Sequence, residues 1–99
     1  MSETIKGYTV TLEEGCSYET YRVEKDDHYV TTLKYHEGSF WCDYRGDEIY
    51  RSNDVGDGYF SFNNTRVRRL HILKAIKALY EIQQGEMSEL DELEAWARD

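Results

Sequence analysis

Residues 66–84 contain neither glycine nor proline, and most of them are strong helix formers. At about 100° per residue, Ile72, Leu73, Ala75, Ile76, Leu79 and Tyr80 gather on one broad face. Arg66, Lys74, Lys77, Glu81 and Gln84 gather opposite. Asn63, Asn64 and Thr65 stand ahead as candidate N-caps, and Gly85 follows where a C′ residue belongs. The pattern predicts one long helix with one side on a core.

The first turn is out of phase. Val67 and Leu70 point toward the polar stripe, and Arg68 and Arg69 toward the apolar face. Two readings follow. Either Val67 packs with Leu70 under a loop while Arg68 and Arg69 pair with sheet carboxylates, or this end is a self-association surface. A homodimer through Val67, Leu70 or an uncovered strand edge is therefore an expectation.

A helix of this length, about 30 Å, needs a second layer. Upstream, Tyr8, Val10 and Leu12 alternate with Thr9, Thr11 and Glu13, a strand with one buried face. Residues 18–24, 28–36, 39–45 and 48–52 read as further strands, and 59–62 as a short one. Their connections are too short for parallel crossovers, so neighbours run antiparallel. Lys25–Asp26–Asp27, Glu37–Gly38 and Gly46–Asp47 are the expected hairpin turns. Downstream of Gly85, Ser88 caps a second, short acidic helix, with Asp91 near its positive end and an apolar stripe of Leu90, Leu93 and Trp96 or Ala97. The expected fold is α+β: an antiparallel meander of about five strands packed on one long helix, plus the short acidic final helix, in a single domain over 1–99.

Charge is unevenly spread along the chain. Residues 1–62 carry thirteen acids and six bases, 63–85 five bases and one acid, and 86–99 six acids and one base. A net charge of −8 repels phosphate backbones at long range and attracts basic partners. Nucleic acid is disfavoured as a general ligand. No apolar run reaches the roughly 18 residues of a membrane span, and residues 1–6 lack the basic and apolar parts of a signal peptide. A cytoplasmic setting is expected (host cytoplasm for a phage-encoded chain), with Cys16 and Cys42 reduced.

No motif carries chemistry. His28, His36, His71, Cys16 and Cys42 lack the paired spacing of a zinc site, and they read as rim histidines and ordinary thiols. Asn53, Asp54 and Asp57 with Gly56 and Gly58 fail the ligand order of a calcium loop, because Val55 and Asn64 fall where ligands belong. Arg45–Gly46–Asp47 spells an adhesion tripeptide, and hairpin geometry accounts for it. Nothing like a nucleophile elbow surrounds a serine or cysteine. The expectation is a chain without catalytic residues, metal or cofactor.

Two binding readings remain. In the first, acids at strand ends and hairpins imitate phosphates and occupy a basic surface on a protein partner, with a few aromatics carrying the affinity. Asp26, Asp27, Asp47, Glu48, Asp54 and Asp57, with Trp41 and Tyr50, are the residues expected to make that contact. In size, acidity and lack of catalytic signature the chain resembles the small proteins with which phages and mobile elements block host enzymes, anti-restriction and anti-CRISPR inhibitors among them. That resemblance implies a nucleic-acid-handling enzyme as partner. In the second reading, Tyr29, Tyr35, Trp41 and Tyr50 stack single-stranded bases while Arg66, Arg68, Arg69, Lys74 and Lys77 meet the phosphates.

Overall fold

The computed structural model describes residues 2–98, and residues 87–91 by their backbone alone. It contains a six-stranded antiparallel meander in the order β1-β2-β3-β4-β5-β6, followed by one helix. The strands are β1 (Ser2–Ile5), β2 (Tyr8–Leu12), β3 (Thr20–Lys25), β4 (His28–His36), β5 (Ser39–Tyr44) and β6 (Asp47–Ser52); the helix is α1 (Thr65–Arg98). The fold is α+β.

Four two-residue turns make the meander. Lys6–Gly7, Asp26–Asp27, Glu37–Gly38 and Arg45–Gly46 all place both residues at positive φ, the geometry whose twist matches the flanking strands. The last turn lies one residue earlier than expected, so Asp47 opens β6. In a strict meander the turns at 6–7, 26–27 and 45–46 share one end of the sheet. The loops 13–19, 37–38 and 53–64 share the other.

Alternation sends Tyr8, Val10, Tyr21, Val23, Leu33, Tyr35, Phe40 and Cys42 to the helix side, where all are buried. Ile72, Ala75, Ile76 and Leu79 complete the core from α1. Asn64 is the N-cap: its Oδ1 accepts from the Arg66 N–H at 2.9 Å and the Val67 N–H at 3.3 Å. The out-of-phase first turn is resolved by ion pairs, Arg68 with Glu19 and Arg69 with Glu3. Val67 packs half-buried on the core.

Three sequence expectations are corrected. An extra strand, β1, pairs with β2 through the Lys6–Gly7 turn. Its four residues are mostly exposed, so it carries no apolar alternation to read. Residues 59–62 form bends rather than a strand. Gly85 does not end the helix, which continues unbroken to Arg98 in place of a second helix. Glycine costs a helix about 1 kcal/mol relative to alanine, and tertiary contacts on either side offset it. Gln83 receives the Tyr8 hydroxyl and donates to Tyr44 Oη at 3.2 Å. Glu86 accepts from Tyr44 Oη and from Arg45 Nη1, both at 3.1 Å. Beyond Glu86 the helix projects past the sheet, with Leu93 and Trp96 exposed and a longest molecular dimension of 56 Å. The expected roles of Ser88, Leu90 and Asp91 lie outside the described residues.

Candidate functional site

The residues expected to form one contact surface are found in four places. Asp26 and Asp27 are exposed at the β3–β4 turn with φ of 52° and 64°. The turn itself asks for residues that tolerate that geometry, and aspartate is one of few. Asp47 and Glu48 sit at the neighbouring β5–β6 turn, where Glu48 is ion-paired to Arg51. Lys25 and Arg45 share a cleft with Asp26 at this end, so its charge is mixed.

Trp41 lies on the open face of the sheet, half-buried, with the Arg51 guanidinium 5.1 Å from its ring. Tyr50, expected beside it, faces the helix instead. The ladder pairs Cys42 with Tyr50 and then Asp43 with Glu48, so Ile49 is a bulge that puts Tyr50 and Glu48 on opposite faces. Tyr50 Oη lies 2.8 Å from His71 Nδ1. Tyr35 is also on that side and fully buried. Of the four tyrosine and tryptophan platforms, only Tyr29 and Trp41 remain on the open face. The basic helix stripe is on the other side of the sheet from them.

Asp54 and Asp57 lie at the far end. Asp57 is occupied, its Oδ2 accepting from the Asn64 N–H at 2.6 Å. Of the expected dimer pair, Val67 is half-buried and Leu70 is 49% exposed.

That far end holds what the sequence concealed. Tyr18, His36, Tyr59 and Phe60 form a ring cluster, with centroids 5.0 Å apart for Tyr18–His36, 5.4 Å for His36–Tyr59 and 4.5 Å for Tyr59–Phe60. Tyr59 and Phe60 are 57% and 54% exposed. Their backbone is nonetheless fixed, because Phe60 O accepts from the Glu19 N–H at 2.8 Å and Tyr59 O from the Glu37 N–H at 2.7 Å. Tyr35 Oη holds both main-chain groups of Gly58, donating to its carbonyl at 2.6 Å and accepting from its N–H at 2.9 Å. A Cβ at position 58 would run into the Ser61 carbonyl oxygen, so the loop requires glycine there.

The loops at this end carry charge of one sign. The loops 13–19, 37–38 and 53–64 contain six acids and no lysine or arginine. Glu19 is consumed by Arg68 and Asp57 by its backbone bond, which leaves Glu13, Glu14, Glu37 and Asp54. The Glu37 carboxylate beside Tyr59 raises that phenol above its ordinary value, chiefly as a hydrogen-bond acceptor and then by its charge. Fixed ring faces amid carboxylates attract ammonium and guanidinium groups. Tyr18, His36, Tyr59 and Phe60 were missed because an apolar pair in a glycine- and asparagine-rich stretch reads as a short strand. The one available signal was that Tyr59–Phe60 had no alternating partner.

Among the described residues no three His, Cys, Asp or Glu side chains stand together as a metal set, and no helix is long and apolar enough to cross a membrane. Both thiols are free, Cys16 exposed and Cys42 buried. Burial pushes the Cys42 thiol up to about 11, so a thiol-specific chromogenic reagent at neutral pH is expected to label Cys16 alone in the folded chain and both cysteines in denaturant. A second rapid labelling event in the folded state would contradict the packing of Cys42 against Thr31.

His71 gives a pH expectation. Burial, and then the charge of Lys74, lower its basicity below the usual 6.5. The unfolded chain therefore takes up this proton more readily than the folded one. The stabilisation is complete above pH 6.5 and is lost as pH falls through the lower folded value. The urea midpoint is expected to fall between pH 7 and 5, and His71→Gln to flatten that part of the profile. An unchanged profile in the variant would remove His71 as its source.

The chain matches no family model, no curated protein and no solved structure. Its chemistry rests on the geometry alone.

Proposed function

We propose that this chain is a non-enzymatic protein-binding module whose contact surface is the Tyr18–His36–Tyr59–Phe60 cluster, rimmed by Glu13, Glu14, Glu37 and Asp54, and whose partner presents a basic surface. The observation that carries the reading is that two large rings stay more than half exposed on a loop whose backbone is tied down on both sides. Such rings lose little conformational entropy on binding, which is the usual property of an affinity-bearing anchor. The surrounding carboxylates add long-range attraction, partner choice and salt sensitivity. A nucleic-acid-handling enzyme has a basic groove by necessity and is the partner class this chemistry fits. Inhibition of such an enzyme, of the anti-restriction or anti-CRISPR kind, is the role proposed.

An octa-arginine peptide, an octa-glutamate peptide and an oligo-dT strand test it by titration at low and moderate salt. The arginine peptide is expected to bind, with affinity falling as salt rises, and to lose most of its binding in a Tyr59→Ala, Phe60→Ala double variant. Tighter binding of oligo-dT, or arginine-peptide binding indifferent to the double variant, would overturn the proposal. Any self-association is proposed to use Leu70 with neighbouring Leu73, rather than Val67. Sedimentation showing only monomer at high concentration removes that part.

A further inference from the structure

Helix α1 carries two exposed apolar patches, and the charge around them has opposite sign. Toward its N-terminus Leu70 and Leu73 are 49% and 38% exposed, on a shallow groove that Arg66 and Val67 also line. Toward its C-terminus, where the helix projects past the sheet, Leu93 and Trp96 are 58% and 77% exposed. Residues 63–85 carry five bases and one acid, and residues 86–99 six acids and one base. Arg68 and Arg69 are taken up by Glu19 and Glu3. Arg66, Lys74 and Lys77 are exposed and make no ion pair among the described residues. Glu92 and Glu94 are exposed beside Leu93 and Trp96, and Glu94 meets only Arg98, loosely, at 3.9 Å.

We propose that the two patches recognise each other between copies of this chain. The Leu93–Trp96 patch of one copy seats on the Leu70–Leu73 groove of the next, with Glu92 and Glu94 facing Arg66, Lys74 and Lys77. Apolar surface of this kind marks a contact, and the charge decides what covers it. Two C-terminal patches together would crowd acids, and two N-terminal patches would crowd bases. Unlike patches complement each other, in charge as well as in apolar area, and every copy supplies one of each. Geometry then sets the kind of assembly. At about 100° per residue the patches lie roughly 140° apart around the helix, and about 30 Å apart along it. Two straight helices laid side by side therefore cannot bury both patches in one seam. Each contact takes one patch from each copy, so a dimer keeps one patch of each kind unused and further copies add to it. This contact rests on the reading that self-association uses Leu70 with Leu73, and it supplies what those leucines meet. The aromatic cluster takes no part.

Sedimentation of the full chain over a range of concentration and salt tests it. The mass is expected to rise with concentration past that of a dimer, and added salt to weaken the association. Trp96→Ala is expected to weaken it about tenfold. Two charge-reversed chains give the sharpest arm. A Glu92→Lys, Glu94→Lys chain and a Lys74→Glu, Lys77→Glu chain should each stay monomeric alone, because like charges then meet. Their equimolar mixture should associate as the parent does. All four positions are exposed, and recovery in the mixture shows that both chains are folded. Association that stops at a dimer, association indifferent to Trp96→Ala, or a mixture that stays monomeric would overturn this contact and leave Leu70 and Leu73 their role. A parent chain that is monomeric throughout removes both. A monomer whose Trp96 emission, read in a Trp41→Phe chain, shifts to the blue with octa-arginine would also overturn it, by giving the acidic patch to a basic partner.

Discussion

Tyr35→Ala is expected to remove most of the stability of this domain. The ring is fully buried, its centroid 4.0 Å from that of Phe62. Removing a buried aromatic side chain costs about 3–5 kcal/mol. The hydroxyl adds a second loss, because it serves both the N–H and the carbonyl of Gly58, at about 1 kcal/mol for each bond. A domain of this size has about 5–15 kcal/mol in total. Tyr35→Phe separates the two contributions: it keeps the ring, and its thermal midpoint is expected to fall by roughly 5–15 °C. Amide exchange in the Tyr35→Phe chain should accelerate over 58–62 before it does so in the strands. A Tyr35→Phe chain as stable as the parent, with the same exchange pattern, would show that the hydroxyl does not hold the loop that carries Tyr59 and Phe60.

Those rings show why the site was harder to read than the fold. Helix α1 was legible because a 3.6-residue pattern over five turns repeats one statement many times. The hairpins were legible because Asp26, Asp27 and Gly38 are residues that accept positive φ. Strand β1 had no such repetition: Ser2, Glu3 and Thr4 are exposed at a sheet edge, and only Ile5 is partly buried. Gly85 illustrates the opposite error. A local stop signal of about 1 kcal/mol was outweighed by contacts that Gln83 and Glu86 make with Tyr8, Tyr44 and Arg45, residues forty to seventy-five positions away.

Bulges break the alternation. One extra residue at Ile49 puts Tyr50 and Glu48 on opposite faces, and another at Val30 separates Tyr29, on the open face beside Arg22, from Tyr35 on the helix side. Alternation counts residues and has no term for an inserted one. Composition misled differently. The acids looked like one surface because they are one chemical class, but the meander deals its turns to two ends, and Lys25 and Arg45 mix the charge at one of them. The pairing of Arg68 and Arg69 with sheet carboxylates, by contrast, followed from their position on the apolar face, where an unpaired guanidinium would be costly.

The Glu19–Arg68 pair is expected to be the least tolerant polar contact, and its two halves should differ. Glu19 is a junction. Its N–H donates to Phe60 O, its carbonyl accepts from the Tyr35 N–H at 2.9 Å, and its carboxylate accepts from the Phe62 N–H at 3.2 Å and from Arg68 Nε at 2.8 Å. The Glu19 side chain is 5% exposed and that of Arg68 33%. Removing the arginine strands a buried carboxylate, for which the cost is about 3–5 kcal/mol. Removing the glutamate leaves an arginine that can turn toward water, so Glu19→Ala is expected to cost less, about 2–3 kcal/mol. Urea unfolding of Arg68→Ala, Glu19→Ala and the double variant measures the difference. The double variant should lose less than the sum of the single losses, because the stranded charge is then gone. Equal losses in the two single variants, adding fully in the double, would mean that the pair acts as two independent packing contacts. The aromatic cluster would then owe nothing to the ion pair, and Glu19→Ala would leave octa-arginine binding intact.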